Sequence, residues 1–153
     1  MTRIQLILLA AGGSAALLAG AFTFQYFGYP PCHLCLWQRW PHAAAILIGL
    51  VALALPRVTA LPALGALAAL TTAGIGVYHT GVERGWWEGP NTCTSGPIDG
   101  VSSAELLDRI MNAPLIRCDE VAWQLMGLSM ASWNALLSFG LAAIWVMALR
   151  TRA

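Results

Sequence analysis

Residues 61–78 read LPALGALAALTTAGIGVY and contain no charged side chain. A membrane-spanning helix needs roughly 20 mostly apolar residues to cross a hydrocarbon core of about 30 Å. Three more apolar runs of similar length occupy about residues 4–27, 36–55 and 125–149. Only 10% of the residues are charged, against about 25% in a soluble domain. The sequence therefore predicts an all-α integral membrane protein, a single domain over residues 1–153 built as a four-helix bundle.

The charges predict the orientation of this bundle. Arg3, Arg57, Arg150 and Arg152 flank the apolar runs at the N-terminus, between the second and third runs, and at the C-terminus. The positive-inside rule makes these three segments cytoplasmic, and four spans satisfy all of them. We therefore expect an N-in/C-in topology with outer loops at about 28–35 and 80–124. The first run is longer than an ordinary secretory signal core, so we interpret it as a span.

All four cysteines lie in the two predicted outer loops: Cys32 and Cys35 in the first, Cys93 and Cys118 in the second. An oxidising compartment permits disulfides there. The even split suggests two disulfides, although four cysteines allow three connectivities. A Cys-x-x-Cys ring is too short to add much loop-closure stabilisation, whereas redox and metal sites often use this spacing. The second pair, by itself, fits a structural staple as well as an exchange disulfide.

The residues before Cys32 predict where the second helix begins. Tyr29-Pro30-Pro31 cannot continue a helix, and proline suits a first helical position. The two cysteines are therefore expected at or just before a helix N-terminus, with the span itself starting near Leu36. Backbone N–H groups and the helix dipole stabilise a thiolate at such a place.

Four polar residues near the predicted outer face are candidates for function. Arg39 follows Cys35 by one helical turn and shares its face; it is either an interfacial anchor or a cation that polarises a carbonyl oxygen of an electron acceptor. His79 ends the third span, where an ionisable residue suggests function. His33 either lowers a thiol pKa or is an exposed loop residue. His42 has no evident partner and is interpreted as structural.

The second outer loop combines an accessible cysteine with a short helix. Residues 91–97 around Cys93 are small, polar and rich in helix breakers, which suits thiol exchange with another protein. Ser102 and Glu105 form a capping box. The apolar residues that follow at helical spacing are Leu106, Leu107, Ile110 and Met111. We expect a short amphipathic helix, closed by Pro114, that lies on the membrane surface.

Taken together, these motifs resemble the bacterial disulfide bond formation protein B family, DsbB. The resemblance rests on four predicted spans, on Cys-x-x-Cys-x-x-x-Arg from Cys32 to Arg39, on Tyr-His-Thr around His79 and on the second cysteine pair. It covers nearly the whole chain. One departure is Gln38, where some members have an acidic residue; this departure leaves Arg39 without a neighbouring carboxylate.

The resemblance implies a quinone-dependent protein-dithiol oxidoreductase of the bacterial inner membrane, with its cysteines on the periplasmic side. Cys93 and Cys118 would form the disulfide that a reduced, periplasmic DsbA-like protein attacks, and Cys118 would then attack Cys32. Cys35 would become the thiolate that faces a membrane quinone, either ubiquinone or menaquinone. Arg39 and His79 are implied as quinone-binding residues, and no metal is expected.

Three other classes of protein share some of these sequence features. A metal or haem protein could use Cys-x-x-Cys with His42 and His79, although Cys93 and Cys118 are too far apart in sequence for a second close-spaced zinc motif. A structural four-span scaffold with stapled loops leaves the position of Arg39 beside the cysteines unexplained. In quinone-linked oxidases of the vitamin-K-epoxide-reductase type, Cys-x-x-Cys follows the loop pair, which is the reverse of the order here. A net charge of +1 gives no reason to expect nucleic-acid binding.

Overall fold

A computed structural model describes residues 1–91, 102–111 and 116–151 of the chain. Four long helices form most of it: α1 (Arg3–Tyr26), α2 (His33–Ala54), α3 (Leu61–Glu83) and α5 (Met130–Arg150). A short helix, α4 (Ser103–Met111), lies between α3 and α5 in sequence. The described residues are mostly helical, as the sequence predicts. Cys93 and Pro114 fall outside the described residues.

Each long helix packs mainly against two others, in the cyclic order α1, α2, α3, α5, and α1 and α3 also touch across the bundle. Arg3 at the start of α1 donates from Nη2 to the carbonyl oxygen of Val58, 3.1 Å away, in the loop between α2 and α3. The N-terminus and this loop therefore lie at the same end of the helix assembly. At that end the core contains small residues around one large aromatic, Trp145, which is fully buried. Small residues let helix backbones approach closely, as membrane helices commonly do.

Among the described residues, three helices are long and apolar enough to cross a membrane: α1, α3 and α5. α2 has 22 residues, but its first half contains Gln38, Arg39 and His42, which lower its hydropathy. Gln38 and His42 are buried against other helices. These three apolar helices are those of a multi-pass membrane protein. A fourth span, through α2, stays a prediction.

The polypeptide before α5 forms a feature that the sequence analysis did not predict. Strands β1 (Gln124–Leu125) and β2 (Leu128–Ser129) pair antiparallel, with Gln124 opposite Ser129. Met126 and Gly127 form the turn and both have positive φ, 53° and 78°, as a two-residue hairpin turn requires. α5 begins at Met130, several residues after the start of the apolar run. Its N-cap is Ser129, whose side chain accepts a hydrogen bond from the Ser132 N–H.

The short helix α4 has the predicted start. The Ser102 Oγ accepts a hydrogen bond from the Glu105 N–H at 3.3 Å, which satisfies one of the unpaired donors of the first turn. Leu107, Ile110 and Met111 are all more than 60% exposed. An apolar stripe of this kind suits a membrane surface, and the location of α4 at that surface stays a prediction.

Candidate functional site

The Cys-x-x-Cys motif lies at the N-terminus of α2, as predicted, with the helix starting at His33. Cys32 is the N-cap residue, and its Sγ accepts a hydrogen bond from the Cys35 N–H at 3.2 Å. Both are free thiols in this structure, with the Cys32 thiol donating to Cys35 Sγ over 2.7 Å. That hydrogen bond, together with burial, raises the pKa of Cys32 far above its usual value. Cys32 therefore keeps its proton, and Cys35 Sγ accepts the hydrogen bond that Cys32 donates.

His79 of α3 lies beside these two sulfurs, within the same buried cluster of polar groups. Its Nε2 is 3.5 Å from Cys32 Sγ and 3.8 Å from Glu83 Oε1. The Glu83 side chain is itself only 6% exposed, and its other oxygen accepts a hydrogen bond from Ser129 Oγ. Sequence analysis missed Glu83, although its spacing of one turn from His79 places the two on one face of a helix.

Cys118 packs directly against the first cysteine pair. It is fully buried, it is disulfide-bonded, and it belongs to a cluster with Cys32, Leu34 and Val82, against which Cys35 also packs. The backbone of Cys118 forms a hydrogen bond with the His79 side chain. A sulfur from the second outer loop is therefore held beside the redox motif of the first. Its sequence neighbours Arg117 and Asp119 form a bidentate ion pair, at 3.0 and 2.6 Å.

Behind His79, buried polar side chains from three helices form a hydrogen-bond network. Gln38 Nε2 lies 2.9 Å from His79 Nδ1, and Gln38 Oε1 accepts from Asn134 Nδ2 at 2.7 Å. Asn134 Oδ1 is 2.8 Å from His42 Nε2. His42, for which the sequence shows no evident partner, therefore has one in Asn134, and its interpretation as a structural residue stays a prediction. Asn134 was overlooked because a single amide in an apolar run gives no local sign of what it contacts.

Arg39 projects from the same part of α2 toward α1. Its Nη1 donates to Gln25 Oε1 at 2.7 Å, its Nη2 donates to the Ala21 carbonyl at 3.4 Å, and its guanidinium carbon lies 4.8 Å from the centroid of the Phe22 ring. Its buried Nε–H has no hydrogen-bond partner among the residues that the structure describes. Arg39 therefore has its charge partly compensated by oxygen dipoles and keeps one donor unused.

A cavity of about 250 Å³ opens beside these residues. Apolar side chains of α1, the Tyr29–Pro31 turn, the segment before the β-hairpin and the start of α5 form most of its wall, including Phe24, Trp123 and Trp133. The polar residues that line it are Cys35, Gln38, Arg39, His42, His79 and Asn134. The structure thus brings five of the six predicted site residues together, Cys32, Cys35, Arg39, His79 and Cys118, while the sixth, Cys93, lies outside the described residues. His33 is exposed, with its ring 5.1 Å from the Trp37 ring.

Comparison with known proteins identifies relatives along nearly the whole chain. A family model described as "Disulfide bond formation protein DsbB" matches residues 3–148. Disulfide bond formation protein B of Herminiimonas arsenicoxydans is 33% identical over 141 residues, which cover 88% of this chain and 86% of the relative. The protein of the same name from Azoarcus sp. (strain BH72) is 32% identical over 139 residues, covering 85% and 81%.

An uncharacterized protein of Rickettsia prowazekii (strain Madrid E) is also similar, with 30% identity over 130 residues, covering 82% of this chain and 75% of the relative. No solved structure matches the chain significantly.

Proposed function

The chain belongs to the DsbB family of disulfide bond formation proteins, and on this premise we propose that it re-oxidises a periplasmic DsbA-like dithiol protein and passes two electrons to a membrane quinone. Family membership and the apolar helices already make it a multi-pass membrane protein of disulfide bond formation, and in general terms a disulfide-forming oxidoreductase. The partner, the quinone and the roles of single residues are the proposal.

The observation that carries the proposal is the packing of Cys118 against Cys32. Thiol–disulfide exchange requires a thiolate to reach a disulfide sulfur directly. A staple that only held the outer loop together would not need to bury one of its sulfurs against a Cys-x-x-Cys pair. The contact therefore supports a relay between two cysteine pairs.

In the proposed relay, a thiolate of the reduced partner attacks Cys93 and breaks the disulfide that we assign to Cys93 and Cys118. Cys118 leaves as a thiolate and attacks Cys32, which releases Cys35 from the Cys32–Cys35 disulfide. The second partner thiol then displaces Cys93, and Cys93 displaces Cys32 from Cys118. The partner has lost two electrons and two protons, and Cys32 and Cys35 hold them as a dithiol.

The residues around the cavity fit a quinone. The wall is mostly apolar, as a quinone ring and its isoprenoid chain require, and the Arg39 side chain that lines it carries a cationic hydrogen-bond donor suited to a carbonyl oxygen. A bound quinone would supply an acceptor for two electrons and two protons. Arg39 would hold it, Cys35 would face it from the first turn of α2, and His79 would line the same space.

We further propose four spans in the bacterial inner membrane, N-in/C-in, with the cysteines on the periplasmic side and α4 lying on that membrane surface. The arginine-rich ends of the helices support this orientation. Redox poise supports the direction of electron flow, because each 30 mV between two-electron couples is about 1.4 kcal/mol. A high-potential quinone can therefore drive an otherwise unfavourable thiol oxidation.

The test is quinone-dependent oxidation of a reduced DsbA-like protein by the purified chain in detergent. We expect turnover to vanish in Cys35→Ser and in Cys93→Ser. Arg39→Ala removes a charged hydrogen-bond donor, so the half-saturating quinone concentration should rise about tenfold or more. Arg57→Ala, which removes an arginine from the exposed α2–α3 loop, is the matched control and should leave it unchanged. Absence of turnover with ubiquinone and with menaquinone, in folded wild-type protein, would overturn the proposal.

A further inference from the structure

The network behind His79 has a direction, and that direction decides which ring nitrogen carries the proton. Gln38 Nε2 lies 3.2 Å from the carbonyl oxygen of Leu34 and 2.9 Å from His79 Nδ1. A carbonyl oxygen only accepts hydrogen bonds, so the Gln38 atom at this place is the donating nitrogen. His79 Nδ1 must then be the acceptor, and the proton of the neutral ring sits on Nε2.

The atoms around His79 Nε2 agree with this assignment. Cys32 Sγ donates its own proton to Cys35 and can accept one from His79 at 3.5 Å. Glu83 Oε1, at 3.8 Å, is a carboxylate oxygen. A ring nitrogen that faces acceptor atoms is stable when it carries a proton. Without that proton, the buried acceptors would have lost their hydration and gained no donor, which costs free energy.

The other half of the network assigns His42 in the same way. Thr72 Oγ1 donates to the Gln38 carbonyl at 3.1 Å, so it must accept from Asn134, whose Nδ2 lies 3.1 Å away. Asn134 Oδ1 consequently faces His42, and His42 Nε2 is the donor over 2.8 Å. His42 Nδ1 is left with its lone pair, buried and without a partner among the described residues, in a side chain that lines the cavity.

We propose that Gln38 and Asn134 are positioning residues that lock His79 and His42 in the Nε2–H tautomer and so give the two histidines opposite roles. His79 presents an N–H to the acceptors around Nε2, which are the sulfur of Cys32, the Glu83 carboxyl group and the backbone of Cys118. His42 keeps its Nδ1 as a bare acceptor, buried in a side chain that lines the cavity. The consequence for catalysis rests on the proposed function, whereas the tautomers do not.

Of the acceptors around His79 Nε2, Cys32 Sγ carries negative charge each time Cys93 displaces it in the relay. A hydrogen bond to a charged atom is stronger than one to a neutral atom, so the His79 N–H stabilises the leaving sulfur in that step rather than the resting Cys32 thiol, which holds its own proton. Gln38→Glu reverses the arrangement at His79. A carboxylate only accepts, so it requires a proton on His79 Nδ1, while it still accepts from Asn134 and leaves His42 as it was.

The test is ¹⁵N NMR of histidine-labelled protein in detergent, with the His79 signals assigned by their loss in His79→Gln and the His42 signals by their loss in His42→Gln. In reduced wild-type protein we expect a bare Nδ1 and a protonated Nε2 for both residues. In Gln38→Glu, His79 should gain an Nδ1 proton while His42 stays unchanged. A proton on Nδ1 of either residue in the wild type, or an unchanged His79 in Gln38→Glu, would overturn the assignment.

Gln5→Glu is the matched control, because Gln5 lies in the exposed capping box of α1, where Glu serves as well as Gln. The NMR measurement needs neither quinone nor a partner protein, so failed turnover with the expected tautomers would count against the proposed function alone.

Discussion

At the level of single residues, the Gln38 side chain forms no hydrogen bond with Arg39, although the two are neighbours in sequence. The Arg39 guanidinium donates hydrogen bonds to Gln25 and to the Ala21 carbonyl instead. Gln38 contacts His79, Leu34 and Asn134. An acidic residue at this position would compensate no charge on Arg39 through these contacts; it would change the proton on His79. Exchanging the Gln38 amide for a carboxylate would thus change which ring nitrogen of His79 carries the proton.

The same residues predict how the site treats metal ions. Cys32 Sγ, Cys35 Sγ and a ring nitrogen of His79 lie within 4.8 Å of one another, as three ligands of a metal would. A nitrogen that carries a proton has no lone pair for a cation. We therefore expect reduced wild-type protein to bind Cd²⁺ weakly. Gln38→Glu should bind it at least about tenfold more tightly, since the metal no longer has to break the hydrogen bond from Gln38 to His79, which costs about 1.4 kcal/mol or more.

The measurement is titration of the reduced proteins with Cd²⁺, followed by thiolate-to-metal charge-transfer absorbance. Cys32→Ser combined with Gln38→Glu is the control that should remove the gain. Equal affinity in wild type and Gln38→Glu would contradict the tautomer argument, and tight stoichiometric binding by the wild type would favour the metal-protein alternative instead.

At the scale of helices, small residues set how closely the bundle packs. Gly65 of α3 faces Trp145 of α5, and a Cβ added at Gly65 would meet the indole ring at 2.5 Å. Gly74, on the same helix, has nothing within 4 Å of where its Cβ would lie. The two glycines have the same intrinsic cost in a helix, and they differ in whether a neighbouring helix occupies the space beside them.

This difference predicts opposite effects of one substitution. Gly74→Ala should leave the protein unchanged or stabilise it by up to about 1 kcal/mol, because alanine is the better helix former. Gly65→Ala should destabilise it by about 1–3 kcal/mol, because the tightly packed Trp145 must move. Thermal unfolding of both variants in one detergent measures the contrast. Matching shifts in the two would show that the α3–α5 contact is looser than described.

At the scale of the whole molecule, α2 decides the topology. It is as long as its neighbours and packs between α1 and α3. Its polar first half nevertheless leaves it less apolar than α1, α3 and α5, the three described helices that are apolar enough to cross a membrane. Each of those polar side chains makes a hydrogen bond inside the protein, because Gln38, His42 and Arg39 all have partners on other helices. A buried, hydrogen-bonded polar group does not expose itself to lipid, so a helix with this surface can span.

Reporter fusions distinguish four spans from three. With four spans, fluorescent-protein fusions after Arg57 and after Arg150 should both be fluorescent, because both ends are cytoplasmic, and an alkaline-phosphatase fusion after Met111 should be active. If α2 does not cross the membrane, Arg57 lies outside and its fusion should be dark. A fusion after Arg3, before the first span, is the control for the cytoplasmic side.

Much of the fold follows from features that are local in the chain. Apolar runs predict long helices, Pro30 and Pro31 predict the start of α2, and Ser102 with Glu105 predicts the start of α4. The hairpin before α5 was missed, because the positive φ of Met126 depends on the turn that pairs two very short strands rather than on a residue type that prefers this conformation.

Backbone preferences and hydrophobic burial act on neighbouring residues, so the amino-acid sequence is enough to show which segments are apolar helices. It is also enough to place Cys32 and Cys35 at the start of one of them, with Arg39 a turn later. The surroundings of the sulfurs, in contrast, depend on the three-dimensional packing of separate helices. His79 reaches Cys32 across 47 residues of chain, and Asn134 reaches Gln38 across 96. Such contacts arise because buried polar groups from separate helices must satisfy one another where no water can.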